Sequence, residues 1–213
     1  MEAIKRIWMF FFVIGLFQIY VCYGQEIQKE KKVIVIDPGH GGTDSGALGV
    51  NGVKEKEMVL EIAKEILKWN KTVLNNRYTI YLTRYTDTLI SLSDRAKLVN
   101  IVRPDLFISL HGNNASNSNA KGIEVYIYNG VYPKRQSVII ATHIMEQLNE
   151  KLGYKTRGVK KANFQVLRQT IKTCPTILIE LGFLSNKDEA GYLTKKENKN
   201  AVALAILISI KIY

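Results

Sequence analysis

At 213 residues, 46% of them hydrophobic, the chain has the length of one domain once an N-terminal leader is set aside. Its two cysteines are Cys22, which lies in that leader, and Cys174; a disulfide scaffold is therefore excluded, and stability must come from a core or a metal. Thirty lysines and arginines against 19 acidic residues give a formal charge of +11, which favours an anionic partner, and for an exported chain that means wall polymer or phospholipid ahead of nucleic acid.

Residues 1–24 read as a signal peptide. Lys5 and Arg6 form a basic start, and 7–20 is apolar apart from Gly15 and Gln18. Cys22 and Gly24 are the small residues a signal peptidase reads, so cleavage before Gln25 is expected. The apolar run is short for a spanning helix, which needs ~20 residues. Val21 is bulky for the position before a lipidated cysteine. Residues 25–32 are a polar linker into the domain proper, 33–213.

Residues 33–37 (Val-Ile-Val-Ile-Asp) form the first strand, and 39–52 follow as a loop with six glycines. No Gly-Lys-Ser/Thr closes that loop, so it is not a phosphate cradle. From Lys56 the apolar residues Val59, Ile62, Ala63, Ile66 and Leu67 recur at spacings of three and four, which predicts a helix ending at Asn75-Asn76. A strand over 78–82 comes next. Ser93 is positioned to cap a helix that Pro104 stops. Further strands are expected at 105–110, 123–127, 164–167 and 176–181, with a helix over 134–152. The C-terminal region is helical from Asn186 or Lys187, and the tail 201–213 is apolar almost all round, suited to packing on the sheet. Strands alternating with helices predict one layered α/β domain, with a largely parallel or mixed sheet of about six strands.

Two segments share one local device. The first strand runs through Asp37-Pro38-Gly39 to His40-Gly41, and the third runs through Phe107-Ile108-Ser109-Leu110 to His111-Gly112. Each places a histidine at the carboxyl end of a strand, where open α/β sheets bind ligands. If the strands are neighbours the imidazoles converge, and a zinc site is the first hypothesis. Other residues keep two readings. Glu180 ends an apolar strand and must be paired, hydrogen-bonded or functional; a salt bridge to Arg84 or Arg157 is the structural alternative. Glu124 either orients a ligating histidine or faces solvent. His143 reads as a helix-packing residue, Cys174 as a buried small hydrophobe, and Asn113 and Asn114 as turn residues or donors to a substrate amide.

Seven blocks in order carry a resemblance to a known family. They are Ile36-Asp37-Pro38-Gly39-His40-Gly41-Gly42, Lys54-Glu55-Lys56-Glu57, Leu82-Thr83-Arg84 with Leu92-Ser93-Asp94-Arg95, Phe107-Ile108-Ser109-Leu110-His111, Gly122-Ile123-Glu124-Val125-Tyr126, Arg157-Gly158-Val159-Lys160 and Ile179-Glu180-Leu181-Gly182-Phe183-Leu184-Ser185-Asn186. Together they resemble the zinc-dependent N-acetylmuramoyl-L-alanine amidases that cut bacterial peptidoglycan. The resemblance implies one zinc ion (Zn2+) held by His40, Glu55 and His111, with Glu180 as general acid and base. Glu55 is chosen over Glu57 and Glu61 by the register of the motif. It implies peptidoglycan as the substrate, in the periplasm or cell wall, with no nucleic acid and no stable membrane insertion after leader cleavage. Some relatives carry a long autoinhibitory insertion after the strand at Glu124; here 128–134 is only a short turn. A related peptidase cutting within the stem peptide, and an inactive wall-binding module, are the alternative readings.

Overall fold

The first strand pair explains the architecture. A computed structural model describes residues 1–2, 8–9, 30–130 and 135–212 of the chain; the expected leader, its cleavage point and the linker lie almost wholly outside the described residues. Strand β1 (Val33–Pro38) pairs in parallel with both β2 (Thr79–Leu82) and β3 (Leu106–Asn113). On the far side of β3 comes β6 (Thr176–Phe183), then β4 (Ile123–Tyr128) and β5 (Thr156–Ala162), in the order β2-β1-β3-β6-β4-β5. All pairs are parallel except β4 with β6. The sheet is therefore mixed and six-stranded, as expected, and the two histidine-bearing strands are neighbours.

Side-chain alternation splits the sheet into two faces. Ile177, Ile179 and Leu181 of β6 join the larger core with Ile34, Ile36 and Leu110. Leu178 joins a smaller core with Val35, Phe107 and Cys174 on the other face. The larger core is covered by α1 (Glu55–Thr72), α3 (Arg135–Leu152) and, after a short α5 (Lys187–Thr194), by α6 (Lys196–Ser209). In α1, Met58, Val59, Ile62, Ala63 and Ile66 are at most 1% exposed, on the stripe the sequence spacing predicts. Each fully buried side chain of this size stabilises by ~1.5–3 kcal/mol. The smaller core lies under α2 (Leu92–Val102) and α4 (Gln165–Thr170). No helix among the described residues is long and apolar enough to cross a membrane.

Three sequence expectations change. Residues 164–167 are not a strand: Phe164 is the extended residue before α4, whose Val166, Leu167 and Thr170 are buried at helical spacing. The fifth strand is instead Thr156–Ala162, an edge strand whose seven residues are all at least partly exposed. Its charge-rich sequence lacks an apolar alternation because neither of its faces is fully buried, and lysines on an edge discourage pairing with other chains. Ser91, not Ser93, caps α2, accepting from Asp94 N at 3.1 Å; Ser93 lies inside the helix. As expected, the apolar C-terminal helix covers the sheet's larger core, and it is also flanked there by α1 and α3, which is why it is apolar nearly all round.

Candidate active site

The β1–β3 register places Pro38 beside Leu110, and Gly39 N donates to Leu110 O at 3.0 Å. His40, with a left-handed φ of 59°, and His111 then meet edge to face, their ring centroids 5.0 Å apart. Gly39 is required for this approach, because a Cβ there would stand 2.3 Å from the His111 ring. The third group arrives from α1. Glu55 is the first helical residue, where the positive end of the helix favours a carboxylate. Its Oε1 lies 3.1 Å from His40 Nε2 and 2.9 Å from His111 Nδ1, and accepts from Gly112 N at 2.9 Å. Oε2 accepts from Ala47 N at 2.8 Å. The glycine loop packs its backbone against this group: a Cβ on Gly46 would come within 2.5 Å of Glu55 Oε2.

Ligand atoms of His40, Glu55 and His111 all lie within 4.8 Å of one another. In a tetrahedral zinc site with bonds of ~2.0–2.2 Å, neighbouring ligand atoms are ~3.3 Å apart. The donor set, two imidazoles and one carboxylate, fits one zinc with a position left open. Glu57 is more than half exposed and pairs with Lys54 at 3.3 Å, apart from this group. Asp44 was not singled out in the sequence. Its Oδ2 is 2.8 Å from His40 Nδ1, so it fixes the ring orientation and the tautomer from behind. An aspartate in a glycine loop reads as a turn residue, and its only sequence signal is a spacing of four from His40.

Charge coupling in the cluster is strong. Burial would lower His40, but the adjacent Glu55 and Asp44 carboxylates outweigh it and hold the imidazole up at about 9. Burial would raise Glu55, but hydrogen bonds and charge from His111 and His40 hold it far below the usual carboxylate range.

Glu180 stands next to His111 across the β3–β6 pair. Its Oε2 is buried and has no hydrogen-bond partner among the described residues. Burial pushes the carboxyl up to about 7; the His111 charge opposes this, and the Glu55 and Glu124 charges add to it. Neither arginine proposed as a salt-bridge partner reaches it. Arg84 donates to Pro38 O, Gly39 O and Lys56 O at 2.7–2.9 Å. Arg157 pairs with Glu124 at 2.7 Å.

Glu124 does not fit either of its sequence readings. It is 3% exposed, so it does not face solvent, and its partners are Arg157, Lys160, Tyr126 and Asn113 rather than a histidine. Asn113 is thereby committed to Glu124 and to a turn with Asn114 N. His143 lies half-buried on α3, and Cys174 is buried.

Arg84 and Arg95, the arginines of the third motif block, hold the His40 turn from below. Arg95 is 2% exposed and donates to Asp37 Oδ1 and His40 O, both at 2.6 Å, and to Pro38 O at 2.7 Å. Asp37 also accepts from Thr83 Oγ1 and Ser109 Oγ. Arg95→Ala should leave the buried Asp37 charge without its cation and cost about 3–5 kcal/mol of stability. Urea unfolding checks this; a loss below about 1 kcal/mol would show the pair to be dispensable.

A mixed α/β sheet whose central strand ends gather two histidines, a helix-start glutamate and a carboxylate with one buried oxygen is an arrangement able to hold a metal ion beside a proton-transferring group. The chain belongs to the N-acetylmuramoyl-L-alanine amidase family, whose model matches residues 34–211. It is 39% identical over 178 residues to an endolysin of Bacillus phage SPP1, covering 81% of this chain and 62% of that protein. With the N-acetylmuramoyl-L-alanine amidase LytC of Bacillus subtilis it shares 38% over 176 residues, 82% of this chain and 34% of LytC. The chain thus spans between about a third and three-fifths of these relatives' lengths. The solved amidase from Clostridium difficile 630 superposes with a TM-score of 0.79 at 31% identity, covering 86% of this chain and 96% of that one. The catalytic domain of CwlV from Bacillus (Paenibacillus) polymyxa var. colistinus gives 0.77 at 33% identity, covering 85% and 97%.

Proposed function

We propose that the chain is an exported, zinc-dependent N-acetylmuramoyl-L-alanine amidase. It hydrolyses the amide between the lactyl group of N-acetylmuramic acid and L-alanine of the stem peptide. The observation that carries this reading is the meeting of two features at adjacent strand ends: a two-histidine, one-glutamate donor set and a half-buried Glu180 whose inner oxygen Oε2 has no hydrogen-bond partner among the described residues. His40, Glu55 and His111 are the ligands. When bound, zinc supplies Lewis acidity, polarising the scissile carbonyl and making water more acidic. The Glu180 carboxylate takes a proton from the attacking water as its oxygen bonds to the lactyl carbon. It returns that proton to the alanine nitrogen as the carbon–nitrogen bond breaks. An unpaired carboxylate suits both steps, because no fixed cation holds it in the ionised state.

In sequence, only residues 129–134 separate β4 from α3, too few for the long insertion of some relatives, and the site is proposed to be open without a partner; residues 131–134 lie outside the described residues. Digestion of purified peptidoglycan by the zinc-loaded protein, analysed by mass spectrometry, tests the reading. Released peptides should begin with intact L-alanine. Shorter peptides would indicate a peptidase, and no product a wall-binding module.

Export is part of the proposal: 1–24 is the leader, 25–32 a linker and 33–213 the catalytic domain. N-terminal sequencing of the native protein should begin at Gln25 or within a few residues of it. A start at Met1 would contradict cleavage and point to a retained anchor.

A further inference from the structure

The edge strand with the charge-rich sequence leads beyond the hydrolytic centre. His111, Glu180 and Glu124 lie side by side on β3, β6 and β4, since Glu180 is the register partner of both others. The row continues to β5, where the irregular pairing sets Arg157 and Gly158 opposite Glu124. Two cations converge there on one buried carboxylate. Arg157 Nε and Lys160 Nζ reach Glu124 Oε1 at 2.7 and 2.5 Å, while Tyr126 Oη and Asn113 Nδ2 donate to Oε2 at 2.6 and 3.0 Å. Two cations thus face the one carboxylate of Glu124, and Arg157 also lies within electrostatic reach of Glu189. Both cationic side chains remain about a third exposed, at 35% and 37%. Arg157 uses only Nε; among the described residues its Nη1 and Nη2 donate to nothing. Its guanidinium carbon lies 5.1 Å from the ring of Phe183, at the active-site end of β6.

We infer that Arg157 and Lys160 form a subsite for a free carboxylate on the peptide part of the substrate, and so set specificity for an acidic stem peptide. This rests on the amidase reading above. Neighbouring strands are ~4.8 Å apart, so cations gathered at Glu124 stand roughly 5–10 Å from Glu180. An extended peptide advances ~3.3–3.6 Å per residue. The second residue past the scissile amide therefore reaches the cluster. The free guanidinium fork can grip a carboxylate with two parallel hydrogen bonds, which a neutral amide cannot match. Glu124 is a positioning residue in this arrangement: it holds both cations in place without meeting substrate.

The test compares two synthetic muramoyl peptides cut by the zinc-loaded full chain, identical except that the carboxylate of the second residue is free in one and amidated in the other. The wild type should favour the acidic substrate by at least about tenfold in kcat/KM, chiefly through KM, as expected for a charge-assisted hydrogen bond. Arg157→Gln should bring the ratio towards parity, because the acidic substrate loses most. Arg157→Lys should retain part of the preference. Lys160→Gln, read in the same way, serves if Arg157→Gln does not fold. Equal cleavage of both substrates by the wild type would overturn the subsite while leaving the amidase intact. A variant that loses both substrates in the same proportion would also overturn it and reduce the cluster to a structural role. Cleavage of neither substrate by the wild type would overturn the amidase reading, and the subsite with it.

Discussion

Glu180→Gln should lower turnover by about 10²–10⁴-fold, the range general acid–base catalysis supplies, while zinc content and fold are retained. The amide is nearly isosteric and lies outside the three-residue donor set. Stability should hold or rise, and the sign follows from the carboxyl's shift. Burial raises Glu180 from near 4.5 to about 7. The folded chain therefore keeps a proton that the unfolded chain releases between those values. The associated stability is complete below about 4.5 and disappears as pH rises through about 7. Glutamine has no charge to bury, so in metal-free protein at pH 8 the variant should melt no lower than the wild type. Turnover of the wild type should fall on the acid side as the carboxylate protonates, at or below about 7, since a bound cation would pull that value down. A large drop in melting temperature, with substantial activity in the surviving folded fraction, would make Glu180 a structural residue.

His40→Ala and His111→Ala should each abolish activity and lose zinc together. Each removes one of the three proposed ligands, and the remaining imidazole and carboxylate cannot close a stable site. Chelation of the wild type should silence it, and added zinc should restore it. Metal content by elemental analysis is the deciding measurement: stoichiometric zinc in either variant would refute the ligand assignment. Asp44→Asn offers a graded comparison. It keeps all three proposed ligands but weakens the hold on His40 Nδ1, and such outer partners typically contribute about 10–100-fold in affinity or activity.

Much of this centre was legible in the sequence because its residues sit where strands and helices end. Apolar runs closed by His-Gly marked His40 and His111, and Glu180 stood out as a charge ending a buried strand. Their convergence follows from β1 and β3 being neighbours, which no local pattern reveals. Asp44 was not assigned its role because an aspartate in a glycine loop reads as a turn residue, and Arg95 because its partners Asp37, Pro38 and His40 lie 55–58 positions away in the chain. Glu124 was misread for a related reason: the cations that bury it come from β5, 33 and 36 positions further along the chain. That strand itself escaped notice because an edge strand bearing Arg157, Lys160 and Lys161 shows none of the apolar alternation by which strands are recognised.

The bond that is broken remains the heart of the account, and isotope labelling reads it directly. Peptidoglycan digested by the zinc-loaded protein in water enriched in oxygen-18 should gain one heavy oxygen in the lactyl carboxylate of N-acetylmuramic acid. The released peptide, beginning with L-alanine, should gain none. Label appearing in a peptide carboxylate, with the muramoyl–alanine amide intact, would contradict it.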